Sequence, residues 1–154
     1  MAASELALER IVDAPIDAVF ARLADIDGYN EWMPTRGSIL SSTKQTSPGE
    51  PGLGSTYTDR TSAGTVLGEI VAFEQPTRLV FHWWEPGRGG RVHAEGWPGY
   101  ELEVVSDHAT RVRHGARLEV HGSRSLLMPV YRWLARRERT ATMEALQASF
   151  RSEP

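Results

Sequence analysis

Apolar residues recur along this chain with two different periods, and the change between them divides it into parts. Ile16, Val19, Phe20, Leu23 and Ile26 have the three-to-four spacing of a helix with one buried face. Asp13, Pro15 and Asp17 suit a helix start, and Asp27-Gly28 ends it. Before this helix, residues 6–12 (LALERIV) fit a strand through Leu6, Leu8 and Val12. After it, a short helical turn over Tyr29–Met33 stops at Pro34.

Between residues 37 and 121 the period falls to two. Runs such as GSILSSTKQ, STYTDRT, TVLGEIVAF, RLVFHWW, YELEVV and RVRHGARLEV are divided by SPGEPGLG, SAG, EQPT, EPGRGG and SDHAT. With residues 6–12 these runs make seven strands. Their connections are too short for parallel crossovers, so the sheet is expected to be antiparallel. The helical period returns over 123–150, where Tyr131, Leu134, Ala135, Thr142, Ala145, Leu146 and Phe150 form an apolar stripe. Ser123 or Ser125 can cap this helix, and Pro129 is tolerable only in its first turns.

The expected fold class is therefore α+β, one domain over residues 1–154: a curved seven-stranded antiparallel sheet around a long C-terminal helix, with two short helices between the first and second strands. Such a sheet twists and curls. A helix laid across its concave face leaves a gap, either filled by large side chains or open to a ligand.

Composition narrows the function. At 154 residues, 40% hydrophobic and 24% charged, the chain has the profile of an ordinary soluble domain. A net charge of −3 supplies no global field for nucleic acid. The absence of cysteine excludes disulfides, thiolate metal sites and a cysteine nucleophile. No apolar run approaches the roughly 20 residues of a membrane span. MAASELALERIV carries charges where a signal peptide has its apolar core, so the expected location is cytoplasmic.

VDAPIDAVFARLADIDGYNEWMP (12–34), PGLGSTYT (51–58) and EIVAFEQPTRLVFHW (69–83) together resemble the START-related polyketide cyclase/dehydrase and lipid-transport superfamily, over roughly residues 5–150. The resemblance implies the helix-grip fold of the birch-pollen allergen and a cavity between sheet and helix. It names no substrate, because members share a scaffold and not a catalytic motif.

Strand alternation then sorts the candidate residues. His114 shares an inward face with Val112, Ala116, Leu118 and Val120. It is either a core histidine bonded to a neighbour or a group reaching the cavity, where it would serve as acid or base. Tyr57 and Asp59 share a face. The resemblance turns an aromatic at position 57 toward the cavity and Asp59 with it, unless Asp59 sits at a solvated strand end. In TVLGEIVAF an inward Phe73 carries Glu69 inside, whereas a twist or bulge turns Glu69 to solvent. His114, Tyr57, Asp59 and Glu69 are the candidate proton-transfer groups.

For ligand contact, Trp32 and Met33 suit a plug at one end of the cavity, whether purely structural or touching what enters. Phe81 and Trp83 point inward with Leu79. Trp97, before Pro98-Gly99, reads as a ring on a loop over the mouth, and Tyr100 begins the next inward face. Tyr57, His114 and, from the helix, Tyr131 complete the set. Trp84, outward beside His82, suggests a partner surface such as a homodimer. His93-x-Glu95 lacks a third metal ligand, and no nucleotide or phosphate fingerprint occurs, so no cofactor is expected.

Three functions fit: binding of a small hydrophobic or aromatic ligand, a cyclase or dehydratase reaction that holds its substrate folded, and a protein-interaction module using Trp84 and the arginines of 132–139. The first leads.

Overall fold

Period-two alternation starts earlier than the apolar residues alone indicate. In the computed structural model, which describes residues 1–34 and 37–151, the first strand already begins at Ala2. The elements are β1 (Ala2–Val12), α1 (Ile16–Ala24), α2 (Tyr29–Trp32), β2 (Leu40–Gln45), β3 (Thr56–Thr61), β4 (Gly64–Glu74), β5 (Arg78–Pro86), β6 (Val92–Ser106), β7 (Ala109–Val120) and α3 (Met128–Ser149). Short 3-10 turns occupy Arg88–Gly90 and Gly122–Leu127. The last of these takes the first residues expected to be helical, so α3 begins at Met128 with Pro129 in its first turn, where a missing N–H costs nothing. Among the described residues no helix is long and apolar enough to cross a membrane.

All seven strands form one antiparallel sheet in the order β1-β7-β6-β5-β4-β3-β2. α1 and the C-terminal half of α3 close its concave face. Phe20 and Leu23 of α1 and Met143 and Leu146 of α3 are buried against Val12, Ile70, Leu79 and Val112 of the strands. At an energy of roughly 1.5–3 kcal/mol per buried large side chain, this cluster is the main stabilising term.

The far end is tied by polar contacts. The Asn30 side chain donates to the Thr43 carbonyl at 2.8 Å and accepts from the Thr43 N–H at 2.9 Å, docking α2 on β2. From α3, buried Glu138 accepts from the Ser38 hydroxyl at 2.6 Å and the Ile39 N–H at 3.1 Å. A carboxylate reaching two donors about 100 residues back in the chain anchors the start of β2 to the helix.

Two strands depart from simple alternation. The β4–β5 register shifts between Ile70 and Ala72, a bulge that resets the phase of β4. Val66, Gly68 and Ile70 turn inward before it and Phe73 after it, packing edge-on to Phe20 at 5.2 Å. Glu69 therefore lies on the convex face opposite His82, not inside with Phe73 as the unbroken count implied.

The second departure is β6, which runs unbroken through Trp97-Pro98-Gly99. Pro98 has no N–H to donate, and the β5–β6 ladder passes directly from Val80–Gly99 to Trp83–Gly96 around it. Trp97 is consequently not on a loop over a cavity. It sits on the convex face, stacked on His82 at 4.7 Å with the rings 8° apart.

Candidate functional site

Where α3 leaves the sheet, a cavity of about 410 Å³ remains, within the few hundred Å³ usual for small-ligand sites. Ile26 and Met33 close it from the helical end, Phe81, Trp83 and Tyr100 form its sheet wall, and Val130, Tyr131, Leu134 and Ala135 of α3 lie opposite. β3 contributes Tyr57 and Asp59, and β4 contributes Val66.

Aromatic geometry shapes this space. Phe81 sits at the centre, edge-on to Tyr57 at 5.7 Å, to Tyr29 at 6.3 Å and to Tyr100 at 6.5 Å. Tyr57 can lie flat because its cross-strand partner is Gly68: a Cβ there would fall 2.0 Å from Cζ of the Tyr57 ring. Gly96 likewise leaves room for the indole of Trp83, with a Cβ position 2.5 Å from its Nε1. Gly68→Ala is expected to force the Tyr57 ring from its place and to lower stability by about 1–3 kcal/mol, as overpacking does. Urea unfolding of the variant checks this, and an unchanged midpoint would mean the ring shifts freely.

The polar groups are few. Asp59 is mostly buried, and desolvation raises its carboxyl above the ordinary range, while the Thr43 hydroxyl and the positive charge of Arg139 pull the other way. Burial likewise raises the phenol of Tyr57, helped by Asp59 and opposed by Arg139. Tyr29 donates its hydroxyl to the Leu23 carbonyl at 2.5 Å. At the opposite rim, Glu85 accepts from Arg124 at 3.1 Å and from the Tyr131 hydroxyl at 3.2 Å.

His114 is inward but does not line this cavity. Its ring stacks beneath Tyr100 at 4.2 Å, with 13° between planes, so Tyr100 stands between it and the open space. Nδ1 lies 2.8 Å from the Gly99 carbonyl, which can only accept, so Nδ1 carries the proton and Nε2 is a bare acceptor. Nε2 is buried and has no partner among the described residues. Burial, reinforced by Arg139 and resisted by the Gly99 bond, lowers its pKa to about 3. The core-histidine alternative describes its place.

Of the other candidates, Tyr57, Asp59, Met33, Phe81, Trp83, Tyr100 and Tyr131 are brought together. Trp32 packs against Tyr29 at 4.9 Å and supports the wall without lining it. Glu69 and Trp97 lie on the convex face, for the reasons given above. Trp84 is no free ring: it packs on His82 at 5.1 Å, and the exposed indole is Trp133, 61% accessible on α3.

Arg139, Thr43, Tyr29 and Thr142 also line the cavity, unanticipated from sequence. For Arg139 a signal existed: it stands four residues after Ala135 and three before Thr142, on the stripe that faces the sheet.

Sequence comparison of residues 4–151 matches the family model described as polyketide cyclase / dehydrase and lipid transport. The chain belongs to this family. No curated protein matches it in sequence. Among solved structures, the family fold recurs in a START superfamily protein from Mycobacterium smegmatis, with 12% identity over 95% of this chain and 96% of that one and a TM-score of 0.71. An aromatase/cyclase, Zhui, from Streptomyces sp. R1128 superposes with a TM-score of 0.75 at 11% identity, covering 96% of this chain and 93% of that one. Ara h 8.0201 gives 0.69 at 17% identity, covering 97% and 98%. At such identities the likeness is one of fold, and the family's scaffold is what these chains share.

Groups able to hold a metal lie elsewhere on the family scaffold. Glu95, Glu119 and His121 offer ligand atoms within 4.8 Å of one another on the convex face. These groups are already engaged with one another and with neighbours: Glu95 meets His82 at 3.0 Å and His121 at 2.7 Å, and Glu119 meets Arg117 at 2.9 Å.

Proposed function

We propose that the chain binds a small hydrophobic or aromatic molecule in the cavity between sheet and α3. The observation that supports this is the 410 Å³ of space with a largely apolar wall of Ile26, Met33, Val66, Phe81, Trp83 and Leu134, set with a few polar groups. N-phenyl-1-naphthylamine, an uncharged fluorophore, is expected to bind with a blue shift, and Leu134→Trp, which fills the space, is expected to abolish it. Equal binding by the two proteins would place the probe outside the cavity and remove this reading.

A second reading, a cyclase or dehydratase step, is favoured by one pair. Tyr57 and Asp59 project from alternate positions of β3 into the same space, and burial raises the Asp59 carboxyl above its ordinary range, the direction that favours an acid–base role. In that reading Asp59 is the acid–base group and Tyr57 hydrogen-bonds a substrate carbonyl. His114 stays behind Tyr100 as support. Asp59→Asn is then expected to lower turnover of a poly-β-ketone substrate by about 10²–10⁴-fold, and undiminished turnover excludes that role.

A further inference from the structure

The cavity wall carries one arginine, Arg139, with no direct ion pair among the described residues. Arg139 projects from α3 into the space that Tyr57, Asp59 and Tyr100 enter from the sheet. Arg139 is half-buried at the cavity wall, and its positive charge acts on Tyr57, Asp59 and Tyr100. Among the described residues it has neither a hydrogen bond nor a carboxylate within 4.0 Å. On α3, Arg132 donates to Ser4 and Arg137 donates to the Gly37 carbonyl, while Arg136, equally without a partner among the described residues, points to solvent. Arg124, in the 3-10 turn before the helix, pairs with Glu85.

Two of the acidic groups lining the cavity are otherwise engaged. Glu138 is held by Ser38 and Ile39, and Glu85 by Arg124 and Tyr131. Asp59 lines the same cavity but makes no ion pair with Arg139 within 4.0 Å. A guanidinium offers five N–H donors in a planar fork, and leaving them unmet in a largely apolar space is costly. The fork fits a carboxylate in two parallel hydrogen bonds, stronger than neutral ones.

We propose that the ligand is an organic carboxylate: a flat or acyl apolar body lying against Phe81 and Trp83, with its carboxylate on Arg139 and the Tyr57 hydroxyl donating to it. The inference rests on the cavity-binding reading and adds the charge of the ligand to it. Half-burial at an apolar wall leaves this arginine less screened than a fully exposed one.

Competition distinguishes the two claims. With N-phenyl-1-naphthylamine as the reporter, 2-naphthoate and 2-naphthamide are titrated against it at neutral pH. They have nearly the same shape and differ in charge. The wild type is expected to favour naphthoate by about tenfold or more, and Arg139→Met is expected to remove that preference while still binding the reporter. Arg139→Gln, which keeps a polar head, provides a second variant should methionine disturb the fold, and calorimetric melting of both verifies folding. Equal competition by acid and amide in the wild type, or an unchanged preference in both folded variants, overturns the proposal and leaves the cavity reading standing. A reporter that fails to bind the wild type, or binds Leu134→Trp equally, removes the cavity reading and this proposal with it.

Discussion

Phe81→Ala is expected to destabilise the protein by about 3–5 kcal/mol, the usual cost of emptying a buried aromatic site. Phe81 is 6% exposed and touches three tyrosine rings edge-on, so its removal loses both burial and the favourable ring geometry of three pairs. The neighbours cannot collapse easily into the gap. Tyr29 is fixed by its bond to Leu23, Tyr57 lies on Gly68, and Tyr100 is stacked on His114. The void should therefore join the existing cavity, and the variant should take up a bulkier apolar probe than the wild type does. Denaturant unfolding gives the energy. A loss below about 1 kcal/mol would show that the tyrosines relax inward and that Phe81 is not the keystone of the wall.

The second large effect is a dependence on acid. The native His114 protonates only near pH 3, while the unfolded chain takes up that proton near its ordinary value of 6.5. Between those values the unfolded state binds the extra proton, so stability falls as pH falls, by up to about 1.4 kcal/mol per pH unit. Above 6.5 both states are neutral and the dependence vanishes. His114→Phe keeps a ring under Tyr100 but cannot titrate. Between about pH 6.5 and pH 4.5 the wild type should lose roughly 2–3 kcal/mol more than this variant. Parallel curves for the two proteins would show that the imidazole reaches a proton without unfolding.

Much of the architecture was legible because its cause is periodic. Ile16 to Ile26 and the run Val112 to Val120 carry their own spacing, and turn residues separate the strands at hairpin distance. What escaped was decided by single events that periodicity does not record. For Glu69 the sequence left both faces open, and the bulge after Ile70 decided it, turning Glu69 outward while leaving Phe73 inside. Pro98-Gly99, ordinarily turn chemistry, was absorbed in the middle of β6 because neighbouring strands tolerate a gap in the ladder, and that carried Trp97 to the opposite face. The candidate site split similarly. The aromatic wall followed from alternation, whereas Arg139 was hidden among surface arginines of the same helix, and alternation turned His114 inward without showing that Tyr100 covers it.

The pairing of β1 with β7, which joins Ala2 to Val120, has a consequence for how the chain reaches its native state. Strands β2 to β7 can zip in sequence, each hairpin closing a short loop, but β1 must wait until more than a hundred residues have been made and ordered. Closure over so long a loop is slow, and until it happens the free edge of β7 and the apolar face meant for α3 are uncovered together. The interval in which this sheet is most exposed to misassembly is therefore set by β1, which is synthesised before the strands it joins and fastened after them.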